Sequence, residues 1–461
     1  MMSSQKTQHS WRFILCVIAI PTALLLGVSC SVLWLGHTTW EPPHLVSVEG
    51  EKNCAVTYWH GLKLFAPVQK GQAIPVPMRN DDFLFTEDDR FFLYRSSDGQ
   101  SLALSGNKAR TILKGRTVSL KLDQDEAWKW LKKASPEELK GLRFLNIEGE
   151  LNAQQVDQVK RIAKVNPKVG LFIEDETWRG IARLFDPVLL IIDGGLQEQD
   201  RDILAKKKDI RTLGMVKPDY ALDFLSEIVG LQTLIIHDWD PQKTGPFPDN
   251  LASLHRIVLI DPVIANLSAL GKQPNLFEMN IQGAKSLEDF TLLKRYHELR
   301  LLSLHELKKE LDLGHLKSLK KLKWLSLPES TTQEQLVDII QSRPDLVFLD
   351  LSGCEKITEL TPLQKLPSLQ YLMVNIGHTS SDPLYEMKHL RWLAVAGEKE
   401  KQEKGLAGDL QKTLLDTDVV RLEPFCLGSG WILLVLPVIA GSWWITRRRK
   451  RVGLLVSGDH G

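Results

Sequence analysis

Apolar residues recur through the second half of this chain in a fixed figure. The figure is Leu-x-x-Leu-x-Leu, or a close apolar variant, with polar or variable residues between. Clear copies run Leu231-Leu234-Ile236, Leu254-Ile257-Leu259, Leu276-Met279-Ile281 and Leu299-Leu302-Leu304. They continue as Leu322-Leu325-Leu327, Leu346-Leu349-Leu351, Leu369-Leu372-Val374 and Leu390-Leu393-Val395. The middle residues advance by 23, 22, 23, 23, 24, 23 and 21 positions. Alternation within each copy predicts a short strand. A fixed period in this range predicts a stacked solenoid, because one strand with its connection cannot bury its own apolar edge. Weaker copies extend the pattern upstream at Leu145-Asn146-Ile147, Leu171-Phe172-Ile173, Leu190-Ile191-Ile192 and Leu213-Gly214-Met215.

Residues 45–122 do not follow this period. Short apolar runs broken by Gly, Pro and Asn-Asp stand at Ala55–Trp59, Asp82–Phe85, Arg90–Tyr94, Ser101–Leu104 and Thr117–Leu120. They predict several strands in hairpins, a small β unit capping the N-terminal end of the solenoid. Residues 123–141 turn helical, with Ser135-Pro136-Glu137-Glu138 a helix start. The repeats then occupy residues 142–400. The charged tract Glu398 to Lys404 predicts a loop, and residues 401–426 a linker.

Two stretches break the otherwise mixed composition. Phe13 to Leu35 and Leu427 to Ile445 contain no charged residue, and each is long enough to cross the ~30 Å hydrocarbon layer. Trp431, Trp443 and Trp444 stand near the ends of the second, where the headgroup level favours them. Arg447-Arg448-Arg449-Lys450-Arg451 follows directly, a cytoplasmic anchor by the positive-inside rule. The expectation is an integral membrane protein in which residues 1–12 and 446–461 are cytoplasmic and the repeats stand outside the cytoplasm. A cleaved signal peptide remains the alternative for the first stretch, and a removed sorting signal for the second. Gly27-Val28-Ser29-Cys30 faintly matches a lipoprotein box, and no Leu-Pro-x-Thr-Gly motif precedes the second stretch. Lys+Arg number 58 against Asp+Glu 57, which argues against nucleic-acid binding. Five cysteines, three of them in or beside the apolar stretches, do not form a disulfide framework.

The run Leu346-Val347-Phe348-Leu349-Asp350-Leu351-Ser352-Gly353-Cys354-Glu355-Lys356-Ile357 resembles the leucine-rich-repeat family. Cys354 stands where that family places Asn or Cys to bond the turn backbone. The following Ile357-Thr358-Glu359-Leu360-Thr361-Pro362-Leu363 looks like the short bacterial repeats of internalin type. The resemblance covers roughly residues 140–400. It implies an α/β leucine-rich-repeat solenoid of about 12 repeats, to which the reading of the flanking residues adds the small N-terminal β-rich cap and two flanking transmembrane helices. It also implies a bacterial cell-envelope setting. The sequence departs from the family where Trp239, Pro262, Ala284, Leu307, Ser330, Gly377 and Glu398 fill the Asn-or-Cys position. The departure implies an irregular arc, with helical or irregular convex segments such as Gln333 to Gln341.

Chemistry-bearing motifs are sparse. There is no Walker loop, no dinucleotide fingerprint, no Gly-x-Ser-x-Gly elbow and no His-Glu-x-x-His. His237-Asp238-Trp239-Asp240 reads as a solvated turn rather than a metal site. Asn80-Asp81-Asp82 with Glu87-Asp88-Asp89 lacks the spacing of a calcium loop. Lys317, Lys320, Lys321 and Lys323 read as a solvated convex face, and Asn266-Leu267-Ser268 is a glycosylation sequon. One constellation rises above these. The position before each middle Leu faces the concave side and reads Thr233, Arg256, Glu278, Leu301, Trp324, Phe348, Tyr371 and Trp392, ending in four rings. Strands ~4.8 Å apart line such rings into a stripe, and aromatic rows are typical binding hot spots. Ser326, Asp350, Met373 and Ala394 form the neighbouring column. Trp324, Phe348, Tyr371, Trp392, Asp350 and Met373 are the predicted ligand-binding residues. The competing reading is that the rings pack on one another or under a loop. The expected function is recognition of a protein or glycan partner, without a cofactor, a metal or catalysis. A structural envelope tether and a kinase-less receptor needing a co-receptor are the alternatives.

Overall fold

Each apolar triplet puts two side chains on one face of a strand and the residue between them on the other. Stacking the triplets lays one strand beside the next. The computed structural model describes residues 109–113, 115–174, 178–193, 200–307, 309–376, 379–396 and 406–421. It also describes eight short strands between residues 33 and 105, and the strand Glu423–Pro424. Within these residues the triplets form twelve strands: Phe144–Ile147, Gly170–Glu174, Leu189–Asp193, Thr212–Val216, Thr233–His237 and Arg256–Ile260, then Glu278–Gln282, Leu301–His305, Trp324–Ser326, Phe348–Leu351, Tyr371–Asn375 and Trp392–Ala396. All pair in parallel with their sequence neighbours and in the register of the repeat, so Leu234, Ile257, Met279, Leu302, Leu325, Leu349, Leu372 and Leu393 lie side by side. The strand Arg116–Lys121 precedes the twelve and Asp418–Arg421 follows them. Arg110–Leu113 pairs antiparallel with Arg116–Lys121 and ends the fifteen-stranded sheet.

The core is one continuous column of Leu and Ile that runs from Leu120 to Leu414 behind this sheet. Convex connections vary with local sequence. Ala153–Val165 and Gln333–Ser342 are α-helices whose N-termini carry reciprocal caps, Asn152 with Gln155 and Thr332 with Gln335. Leu222–Glu227, Thr291–Arg295, Leu313–Ser318 and Thr361–Lys365 are shorter, tighter 3-10 turns. Asp125–Lys133 and Pro136–Lys140 fill the helical connection, the second capped by Ser135 and Glu138 as its sequence predicts.

The missing Asn ladder is replaced by two devices. In three coils a buried apolar group fills its position: Trp239, Ala284 and Leu307 join the core, and Trp239 stacks on Phe247 at 4.1 Å while its Nε1–H donates to Thr244 Oγ1 at 2.8 Å. The residue before that position takes a left-handed backbone: Asp238, Asp261, Gly283 and Glu306, and in the coil before them Lys217, have φ of 54°, 49°, 68°, 52° and 46°. In that conformation the N–H of Lys217, Asp238, Asp261 and Gly283 donates to the last strand carbonyl of the next coil, at 2.8–3.0 Å. Cys354 keeps the role its position implies. Its Sγ donates to the carbonyls of Pro328 and Leu327 at 3.4 and 3.8 Å, and burial pushes the thiol well above its usual range.

Three segments differ from expectation. Thr117–Leu120, read with the small β unit, belongs to the long sheet as part of Arg116–Lys121. The expected linker 401–426 contains the helix Leu406–Thr413 and the strand Asp418–Arg421, which extends the ladder beyond Trp392–Ala396. In this register Asp416 and Arg421 stand where the preceding coil has Leu390 and Val395, and the buried Thr417 bonds Leu390 O at 2.7 Å. Leu33–Trp34, at the end of the first apolar stretch, pairs as a strand with Asp82–Phe85 rather than continuing a helix. The rest of both apolar stretches and the tract Glu398 to Lys404 lie outside the described residues, within which no helix is long and apolar enough to cross a membrane. Upstream, Asp82–Phe85, Phe91–Arg95 and Ser101–Ser105 form an antiparallel meander, and His44–Glu49 joins it beside Ser101–Ser105.

Candidate functional site

Parallel pairing in register turns sequence columns into rows across the concave face. The first row runs Arg256, Glu278, Leu301, Trp324, Phe348, Tyr371, Trp392. The second runs Asn280, Ser303, Ser326, Asp350, Met373, Ala394. The six residues expected to bind a ligand therefore lie together on adjacent strands. The rings of Trp324 and Phe348 stack with centroids 3.6 Å apart and planes 11° from parallel. All six are buried: Trp324 is 4% exposed, and Phe348, Tyr371, Trp392, Asp350 and Met373 are at or below 1%. Burial, partly offset by the neighbouring Arg391, raises the Tyr371 hydroxyl above its usual range. Asp350 spends one carboxylate oxygen on the turn that follows, accepting from the Ser352 N–H at 2.8 Å and the Ser352 hydroxyl at 2.7 Å.

The rows also bring together a polar group that lies toward the N-terminal side of the rings. Arg256 Nε and a Glu278 carboxylate oxygen form a buried ion pair across adjacent strands. Ser303 Oγ and His305 Nε2 lie 2.8 Å apart. Asn280 Oδ1 and Gln282 Oε1 are buried with no hydrogen-bond partner. An acceptor left so costs about 1–3 kcal/mol. A ligand that donates to these oxygens would recover that cost. Arg256 and Glu278 stand in the column read from sequence. Asn280, Gln282, Ser303 and His305 occupy the outward positions two and four residues further along each strand, and the same column reading applied there finds them.

At the N-terminal end, Glu148, Glu174 and Asp193 occupy neighbouring coils. Glu148 binds Lys121 Nζ at 2.6 Å and accepts from Asn146 Nδ2 at 3.0 Å. Burial, then the charges of Glu148 and Asp193, push the Glu174 carboxyl up to about 7.

The remaining motifs have local explanations. His237 Nδ1 lies 3.1 Å from Asp238 at the strand exit, and Asp240 caps the short helix Pro241–Thr244. Lys321 and Lys323 pair with Glu298 and Asp345 of adjacent coils. Asn266 accepts from the Ser268 N–H within its own turn. Asn80, Asp81 and the acidic residues 87–89 lie outside the described residues. Among the described residues no group of three or more His, Cys, Asp or Glu side chains is placed to hold a metal ion.

A period of about 23 residues, one parallel strand per period, a Leu core behind the strands and short convex turns together define one architecture. The fold is a leucine-rich-repeat solenoid. No protein-family model matches the chain, and no curated protein matches it. Solved structures similar to it include an internalin (InlF) from Listeria monocytogenes, 13% identical, with a TM-score of 0.39 over 65% of this chain and 93% of that one. A second internalin of that organism, InlC2, is 19% identical, with a TM-score of 0.29 over 44% of this chain and 84% of that one. A leucine-rich-repeat protein of Leptospira interrogans is 12% identical, with a TM-score of 0.31 over 61% and 90%. The assignment of the leucine-rich-repeat fold rests on the ladder and its register.

Proposed function

We propose that this leucine-rich-repeat chain is a membrane-anchored recognition protein. Its ladder stands on the extracytoplasmic side of a bacterial envelope, both termini are cytoplasmic, and a protein partner docks on the concave sheet. The observation that carries the reading is the row Trp324, Phe348, Tyr371 and Trp392 in register on four consecutive strands. Beside it lies the polar row with its unpaired acceptor at Asn280. Rigid rings supply contact area at low entropic cost, and paired polar groups supply orientation. The two uncharged stretches and the Arg cluster after the second support the anchoring.

The full burial of the rings favours a second reading, in which they pack for stability and the protein tethers envelope layers without a selective ligand. Crosslinking capture from native envelope separates the two. The baits are the full chain and its Trp324→Leu/Trp392→Leu variant, matched first for melting behaviour. The recognition reading expects one partner held by the wild type and depleted at least ten-fold on the variant. Equal capture by both baits supports the tether. A captured species that survives protease digestion and disappears after glycosidase treatment replaces the protein partner with a glycan.

A further inference from the structure

A third row crosses the concave side at the strand exits and includes Gln282 and His305. In the first three coils it reads Glu148, Glu174 and Asp193, and in the next five Val216, His237, Ile260, Gln282 and His305. Glu174 and Asp193 are direct partners on adjacent strands, and the pairing of Ile147 with Ile173 brings Glu148 beside Glu174. Like charges set opposite one another on a sheet destabilise it. Three in succession therefore cost the ladder stability. Packing does not require them, since Asp193 is exposed and Glu148 and Glu174 are only half-buried.

Among the described residues, one ammonium stands with four carboxyl groups. Lys121 Nζ, at the end of Arg116–Lys121, lies 2.6 Å from Glu148 and 3.5 Å from Asp123. Glu148 is also hydrogen-bonded to Glu174, and Asp193 faces Glu174 from the next strand. Burial and these two carboxylates outweigh Lys121 and raise the Glu174 carboxyl to about 7. The proton it takes up near neutral pH offsets part of the negative excess.

A buried acceptor, independent of the charges, points to the ligand. Asn146 stands two residues before Glu148 on the same face, between Lys121 and Phe172 in the register, and is 1% exposed. Its Nδ2 donates to Glu148 at 3.0 Å. That bond fixes the amide, because the reverse orientation would set its oxygen against a carboxylate. Its Oδ1 is left buried with no hydrogen-bond partner. An amide oxygen beside carboxylates calls for positive charge and several N–H donors in one plane, which a guanidinium supplies. These carboxylates are not placed to hold a metal ion.

We propose that Glu148, Glu174, Asp193 and Asn146 form a subsite for an arginine side chain of a basic peptide segment. Glu174 and Asp193 take the guanidinium as a fork, and Asn146 Oδ1 accepts a further N–H. The site does not rest on the aromatic row. A bound guanidinium excludes the proton from Glu174, so binding releases a proton. Affinity therefore falls as pH drops below about 7.

The test is a calorimetric titration of the full chain at low salt with a blocked Arg-Gly-Arg-Gly-Arg peptide, and with Gln-Gly-Gln-Gly-Gln as control. The site predicts saturable binding of the arginine peptide alone, about ten-fold weaker at pH 5.5 than at pH 7.5. Glu174→Gln/Asp193→Asn, checked to melt no lower than wild type, should weaken binding about ten-fold and remove the pH dependence. Should that variant melt lower, Asp193→Asn alone, at an exposed position, should weaken binding about five-fold. Asp219→Asn/Glu227→Gln, at two exposed carboxylates in and beside the convex turn Leu222–Glu227, should bind as wild type does. No saturable binding, equal binding by the two double carboxylate variants, or a wild-type affinity independent of pH overturns the site. Saturable heat from calcium chloride alone, lost in Glu174→Gln/Asp193→Asn, overturns it in favour of a metal. Trp324→Leu/Trp392→Leu should leave the titration unchanged, so failure of recognition through the rings and failure of this site are read separately.

Discussion

At the scale of single residues, backbone conformation decides more than side-chain identity at the strand exits. Four of the five left-handed positions carry ordinary residues, and only the fourth is glycine. A Cβ on Gly283 would collide with the Asp261 carboxylate of the preceding coil. Gly283→Ala should therefore destabilise the ladder by about 1–3 kcal/mol, from steric strain added to an unfavourable φ. Lys217→Gly, at an exposed position with the same φ sign, should be neutral or stabilising by up to about 1 kcal/mol. Urea unfolding checks both, and equal effects at the two sites would refute the turn argument. Glu174 makes a pH prediction. Its carboxyl is raised from 4.5 to about 7 by burial and by Glu148 and Asp193. The folded state thus binds this proton more tightly than the unfolded one. The resulting stability is fully present below pH 4.5 and is lost as pH rises through about 7. Glu174→Gln should remove that loss, leaving the variant the more stable of the two above pH 7. Parallel melting curves of variant and wild type from pH 5 to 8 would show the group is not raised.

At the scale of elements, the period made the strands legible and left their surroundings partly hidden. All eight clear triplets and the four weaker ones upstream lie on consecutive parallel strands, because alternation and spacing both follow from burying one edge per coil. The convex segment at Gln333 to Gln341 was legible only as helical or irregular; it is the helix Gln333–Ser342, started by a Thr332-Gln335 cap. The strand Asp418–Arg421 was not, since Asp416 and Arg421 stand where the other coils carry apolar residues, and Thr417 ties the coil to Leu390 O by a hydrogen bond. The chain of turn hydrogen bonds that stands in for an Asn ladder leaves no residue signature, because backbone N–H groups provide it. Leu325 touches the coils on both sides and is fully buried. Leu325→Ala should cost about 2–5 kcal/mol, and Leu325→Asp should cost more because it buries a charge. Thr332→Ala should cost about 1 kcal/mol through its lost cap. Thermal melts rank the three, and a Leu325 variant that melts like wild type would show the register to be wrong.

At the scale of the whole molecule, the candidate site was legible as a set of directions. Column reading placed Trp324, Phe348, Tyr371 and Trp392 on one face, and the register puts them side by side. It did not report that the rings are buried, because periodicity tells where a side chain points and not what meets it. The polar group around Asn280 and Gln282 is adjacent to the rings only because the strands stack without slipping. Stability and the proposed recognition therefore draw on the same ladder, with the core behind the sheet holding the rows in front of it. The most direct measurement is the affinity of the captured partner for the full chain, for Trp324→Leu/Trp392→Leu on the concave face, and for Lys317→Glu/Lys320→Glu on the convex face. The account predicts at least a ten-fold loss for the concave variant and little change for the convex one. Equal affinities, or a loss confined to the convex variant, would contradict recognition through the concave sheet.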